Sequence, residues 1–173
     1  MYAVDIGLTR LSRAPAVFKV LGGDLSKLQI VQGTFSNIKL PDESVDCIVM
    51  NGSFHHCYEP EARAFIREAS RALKDSGAVM LSNEHFVDWV WCYKRALGAI
   101  VRERRLVLPS KKIRRPDASS GEHCRTRREV LDILHADHLF DVLLEETDLF
   151  YPYQTNFIMR AGWHFYSALL TKK

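Results

Sequence analysis

The chain is poor in the features that mark specialised folds. It has no run of about 18 apolar residues, so no part of it reads as a membrane-spanning helix. Its first residues, MYAVDIG, lack the basic region and long apolar core of a signal peptide. Its four cysteines, at 47, 57, 92 and 124, form no C-x-x-C pair and have no zinc-finger spacing. They read as reduced structural thiols of a cytoplasmic protein, with Cys47 placed in the core by the apolar run around it. Internal repeats and low-complexity segments are absent. With 47% apolar and 26% charged residues, disordered and collagen-like classes are excluded. The net charge is only +3 over 173 residues, too small by itself to argue for a nucleic-acid partner. One soluble globular domain remains, long enough to bury a core without disulfides or metals.

Short apolar runs punctuated by turns come first. Residues 2–6 form a strand ending at Gly7. Val17–Leu21 is a second apolar run, expected as a strand and closed by Gly22-Gly23-Asp24. Leu28–Val31 is a third, and Val45–Met50 a fourth that is nearly continuously apolar. Such runs suit strands buried on both faces of a parallel sheet. Pro60 fits the first turn of a helix in which Phe65, Ile66, Ala69, Ala72 and Leu73 recur at helical spacing. Asp75-Ser76-Gly77 reads as a turn before a fifth strand, Ala78–Leu81. Strand, helix and strand in that order make a βαβ unit, and the fold class is α/β. Residues 86–108 look helical and 109–123 look like a loop. Thr126-x-x-Glu129 is a capping box opening an amphipathic helix to about Leu139. Asp141–Leu149 and Phe165–Leu170 are expected as two closing strands.

The segment Leu40-Pro41-Asp42-Glu43-Ser44-Val45-Asp46-Cys47-Ile48-Val49-Met50 resembles the loop and fourth strand of class I S-adenosylmethionine-dependent methyltransferases of the small-molecule, type 11-like kind. Asn51-Gly52-Ser53-Phe54-His55-His56 resembles the strand end that follows. Glu61–Lys74 and Asp75–Leu81 resemble the next helix, the L-K-P-G-G turn and the fifth strand, with Asp75 and Ser76 standing for the Pro and the first Gly. Thr126–Phe140 resembles the helix before the family's antiparallel pair. The resemblance implies a Rossmann-like, mostly parallel sheet with helices on both faces and an antiparallel C-terminal strand pair. It covers most of the chain and is strongest over 40–81.

The resemblance also implies a cofactor, S-adenosyl-L-methionine, and a site. The family's first strand leads through an acidic residue into a G-x-G-x-G turn. Asp5 and Gly7 match, but the later glycines are absent. Asp24 matches the acid that follows the second strand and binds the ribose hydroxyls, a task suited to a carboxylate because it accepts two hydrogen bonds. Thr34 and Phe35 follow the third strand, where adenine contacts lie, and Phe35 is equally suited to the core. Asn51 and Ser53 complete the implied cofactor set. Only a few residues separate Asp24 from the next strand, so the front of the domain reads as abbreviated. A different start, a domain that has lost its cofactor and a compact loop that still binds it are all open.

His55 and His56 are the catalytic candidates. Adjacent residues cannot face the same way on a regular element, so one is expected to be structural and one to line the pocket. A histidine there suits a general base because it titrates near neutrality. His123 is a more distant candidate. No set of further ligands accompanies the His-His pair, so no metal is expected. Residues 89–128 hold twelve Lys and Arg against three acidic residues, an excess of nine positive charges that leaves the remainder of the chain at six negative. The stretch 86–125 reads as a basic helix and loop insertion, an acceptor lid or simply a solvated face. A basic lid would suit an anionic small-molecule acceptor. Two other readings stand beside methyl transfer. One is an inactive methyltransferase-like module that binds a partner, or a fragment of a larger enzyme. The other is a nucleic-acid-binding module, which rests on charge alone.

Overall fold

The structure is a computed structural model and describes residues 1–104, 106, 123–148 and 163–173. The chain runs β1 (Tyr2–Asp5), α1 (Leu8–Leu11), α2 (Ala14–Val20), β2 (Gln29–Gln32), β3 (Val45–Asn51), α3 (Glu59–Ala72), β4 (Leu73–Val87), α4 (Trp89–Glu103), α5 (Arg127–Leu134), β5 (Phe140–Asp148) and β6 (Trp163–Lys172). The α/β Rossmann-like architecture with an antiparallel closing pair is observed. β1 and β2 pair in parallel, as do β3 and β4, while β4–β6 and β5–β6 are antiparallel. The expected single sheet is split, however. One sheet has the order β1-β2 and the other β3-β4-β6-β5. Both rest on one core, because Tyr2 and Val31 pack against the buried cluster that contains Met50, Phe65, Leu81 and Leu170.

The expected strand at Val17–Leu21 is instead helix α2. A five-residue apolar run carries no decisive periodicity, and its flanks decide the outcome. Pro15 sits in the first helical turn, where its missing N–H costs nothing. Gly22 takes a φ of +78°, Gly22 N donates to Lys19 O at 3.0 Å, and Gly23 N donates to Phe18 O at 2.8 Å. That is a Schellman stop, so the Gly-Gly pair ends a helix rather than a strand.

The Asp75–Gly77 turn is present as an outward excursion within one long strand. Val45 pairs with Leu73, and the next pair is Cys47 with Ala78. Strand β4 then continues to Val87, past the expected end at Leu81. Asp88 accepts from Trp91 N at 3.2 Å and caps α4, so the helix expected from 86 begins at Trp89. Of the expected 109–123 loop, only His123 lies within the described residues. At Thr126 the capping box is complete, with Thr126 N donating to Glu129 Oε2 at 2.8 Å and Glu129 N to Thr126 Oγ1 at 3.3 Å. The helix stops at Leu134 rather than Leu139, because Asp137 and His138 adopt φ of 59° and 54°.

One face of the four-stranded sheet is closed by α3 and α5. Ala62, Phe65, Ile66 and Ala69 of α3 and Val130, Ile133 and Leu134 of α5 are buried against Met50, Val79, Leu81 and Leu170. Cys47 is exposed, contrary to expectation. Strand periodicity gives the core face to Ile48 and Met50 and puts Cys47 and Val49 on the opposite, open face. Strand β3 is therefore buried on one face only. Among the described residues no helix is long and apolar enough to cross a membrane.

Candidate active site

The parallel ladder of β3 and β4 ends at the pair Asn51 and Ser82. Both strands bend there. Gly52 has φ of +57° and donates its N–H to Ser82 O at 2.8 Å, and Asn83 has φ of 52°. Asn51 Oδ1 ties the bend together, accepting from Ser82 Oγ at 3.1 Å and Asn83 Nδ2 at 2.6 Å. The chain then enters a single 3-10 turn, Phe54–His56, whose first amides have no intrahelical acceptor.

Glu84 supplies the acceptors. Its Oε1 receives Ser53 N at 2.8 Å and Phe54 N at 2.9 Å. Its Oε2 receives His55 N at 3.0 Å and lies 2.8 Å from His55 Nδ1. The residue is 2% exposed. Burial by itself would raise the carboxyl's pKa. The hydrogen bonds from His55 and from the Phe54 and Ser53 amides outweigh burial and hold it below the ordinary carboxylate range.

The imidazoles gather around this carboxylate. His55 is buried and His56 exposed, so the adjacent rings lie in different surroundings. Ring centroids of His55 lie 4.2 Å from those of both His56 and His85. Burial, then the neighbouring His55, pushes His85 down to about 3, so it is neutral at physiological pH. His123, the distant candidate, comes to the same place: its N–H donates to His55 O at 2.9 Å, and its ring meets Tyr58 edge-on at 4.4 Å. Arg125 is buried, lies 5.9 Å over the Phe54 ring and donates to Cys57 O. Cys57 is fully buried and its thiol is raised to about 12, chiefly by burial, so it is no nucleophile. A polar cavity of about 310 Å³ is lined by His123 and Arg125 together with Glu59, Arg63, Glu129 and Asp132, and no cofactor candidate lines it.

The remaining candidates divide into separate places. Asp5 ends β1, and its Oδ1 accepts from Gly7 N at 2.6 Å. Asp24 caps the 3-10 turn Leu25–Lys27, is exposed, and accepts from Ser26 N at 3.0 Å and Ser26 Oγ at 2.7 Å. Thr34, past the end of β2, pairs with Asn37 in a tight turn and is exposed. Phe35 is half-buried and edge-on to Phe65 at 6.5 Å, so its ring joins the core. Asn51, Ser53 and His55 are thus brought together, while Asp5 with Gly7, Asp24, and Thr34 with Phe35 stand in three other positions. Among the described residues no group of His, Cys, Asp or Glu is arranged to hold a metal.

The residues not picked from sequence are Glu84, His85 and Arg125. Glu84 left one signal: it is an acid three residues past the apolar run Ala78–Leu81, near the end of a strand whose C-terminal side is where ligands bind in α/β sheets.

A family model for the methyltransferase domain matches residues 1–81. Among solved structures, a SAM-dependent methyltransferase from Methanosarcina mazei superposes with a TM-score of 0.66 over 99% of this chain and 81% of its own, at 19% identity. The chain has the fold of a class I S-adenosylmethionine-dependent methyltransferase. A geranyl diphosphate C-methyltransferase from Streptomyces coelicolor, solved with Mg2+, geranyl diphosphate and S-adenosyl-L-homocysteine, shares this methyltransferase fold at a TM-score of 0.69 over 99% of this chain and 64% of its own, with 12% identity. The [4+2]-cyclase SpnF also shares it, at 0.67 over 99% of this chain and 66% of its own, with 14% identity. No curated protein matches the sequence. A fold shared by a cyclase does not by itself fix the reaction, so function must be argued from the site.

Proposed function

We propose that this chain transfers a methyl group from S-adenosylmethionine to a small-molecule acceptor. The observation that carries this reading is the turn 51–56, built at the C-terminal end of a parallel strand pair in a methyltransferase fold and holding His55 within it. The cofactor would supply a methyl group already activated on a sulfonium. The protein's part is then mostly alignment, a proximity effect. Asn51 and Ser53 would shape the pocket floor at the strand end, with Thr34 and Phe35 on the neighbouring turn.

Asp5 takes the hydroxyl-binding position in place of Asp24. The resemblance assigns that role to the acid ending the strand before the one that leads to Thr34 and Phe35. Because α2 is a helix, that strand is β1, parallel to β2, and its last residue is Asp5. Its chemistry fits. The carboxylate is half-buried, is steadied by Gly7 N, has Arg10 at 3.7 Å from Oδ2, and keeps lone pairs for two vicinal hydroxyls. Asp24 spends its carboxylate on Ser26 at an exposed turn. Where the acceptor must lose a proton, His55 or His56 takes it, with His123 behind them. The excess of Lys and Arg in the stretch 86–125 favours an anionic acceptor.

A second reading, a methyltransferase-like module that binds a partner without catalysis, is favoured by one observation. No ladder joins β1 to β3, so the two sheets are separate. Thermal unfolding with S-adenosylmethionine or S-adenosylhomocysteine separates the two. Ligand at about 100 times its dissociation constant adds about 2.7 kcal/mol of stability. A transition that does not move at millimolar ligand excludes the enzyme and leaves the binding module.

A further inference from the structure

Glu84 is the one carboxylate of the described core, and the cofactor and acceptor roles assigned above do not use it. Four hydrogens converge on it from the far side of the β3–β4 bend, three from successive amides and one from an imidazole. We infer that Glu84 is a positioning residue that fixes the proton of His55 on Nδ1 and leaves Nε2 as a bare acceptor turned to the reaction. The functional half of this inference rests on the methyl-transfer reading; the structural half does not.

The argument is one of donors and acceptors. An ionised carboxylate only accepts, so the ring nitrogen 2.8 Å from Oε2 must carry the hydrogen. In a neutral imidazole the other nitrogen is then an acceptor. Among the described residues the only hydrogen bond of the His55 ring is the one at Nδ1, and none is made by Nε2. The same Oε2 accepts His55 N–H, so the backbone and the ring of His55 are held by a single atom. The ring cannot rotate away without breaking its tilted contacts with the His56 and His85 rings, each 4.2 Å off between centroids. Position and tautomer are therefore set together, and the agent lies 29 residues away in the sequence.

The test is Glu84→Gln, which keeps the size of the side chain. One oxygen of the amide still accepts from Ser53 and Phe54, while its NH2 group leaves the His55 N–H without that acceptor and donates toward His55 Nδ1, which drives the imidazole proton to Nε2. Ring nitrogen-15 NMR of the ligand-free protein reads the tautomer directly. The expected result is an Nδ1–H ring in the native protein and an Nε2–H ring in E84Q. In turnover, E84Q lowers kcat on the order of 10²-fold, the lower end of what a general base contributes, with KM for S-adenosylmethionine unchanged. Adding His55→Gln to E84Q then costs little more, because the two act as one unit. A native His55 protonated on Nε2 or on both nitrogens, or a tautomer that survives E84Q, overturns the inference. So does a loss of kcat in E84Q without a change of tautomer. Because the NMR needs neither cofactor nor acceptor, a failure of methyl transfer itself is seen separately.

Discussion

The two halves of the molecule are built on different terms. In the half made by β3, β4, β5 and β6, the sheet carries α3 and α5 on one face, and aromatic and branched side chains such as Phe65, Ile66, Leu81 and Ile133 are sealed from water. In the half made by β1, β2, α1 and α2, the strands are four residues long, and of the two helices only Leu11 is buried. Val20 and Leu21 are 85% and 78% exposed. Apolar burial is the main favourable term in folding, so most of the stability resides in the first half, and the second is held through a few side chains that reach the common core. Asp5 belongs to the weakly packed half and the His55 turn to the well-packed one.

Substitution measures this contrast. Phe65→Ala removes a ring that touches both Phe35 and Phe54, edge-on at 6.5 and 6.3 Å. It should cost about 3–5 kcal/mol in urea unfolding. A loss near 1 kcal/mol would mean that the core is looser than its burial implies.

Acid acts next, and its sign follows from His85. The folded group sits at about 3, below its unfolded value near 6.5, so between those values the unfolded chain binds the extra proton. Stability therefore falls as the pH is lowered through that window, by at most about 1.4 kcal/mol per unit. Glu84, held low in the fold, adds a further loss as the pH falls through its folded pKa. Denaturant midpoints measured from pH 7 to pH 4 should show this slope, and His85→Gln should flatten it. An unchanged slope in that variant would move the cause elsewhere.

The smallest effect is expected in the open half. Val20→Ser should change stability by no more than about 0.5 kcal/mol, as for an exposed site. A loss as large as that of Phe65→Ala would show that this helix is covered in solution and would erase the contrast.

What was legible in the sequence follows the same division. The β3–α3–β4 unit and the Thr126 capping box were readable because their signals are local and repeated: an apolar run, a helical stripe opened by Pro60, and a Thr and Glu three residues apart. Helix α2 was misread because five apolar residues fit either period and the deciding bonds come from Gly22 and Gly23. The length of β4 was hidden by Asn83 and Glu84, polar residues that look like a strand end but occupy a bend in a continuing strand. The match of Asp24 rests on the Val17–Leu21 run, which folds as α2. Glu84 could not be assigned a role from its own neighbourhood, since every group it serves lies on the other strand's exit turn.

The absence of a shared ladder between β1 and β3 has a consequence for precision. Within each sheet, strand ends are aligned by directional hydrogen bonds that hold their register to a fraction of an ångström. Between the sheets, the spacing of Asp5 and Asn51 is transmitted only by the fit of side chains such as Tyr2 and Val31 on the core. Such contacts are short-ranged and without preferred direction, so a single methylene gained or lost at that seam is converted into a displacement of one sheet relative to the other. The molecule behaves there like a caliper whose jaws are rigid and whose setting is kept by the packing at its pivot.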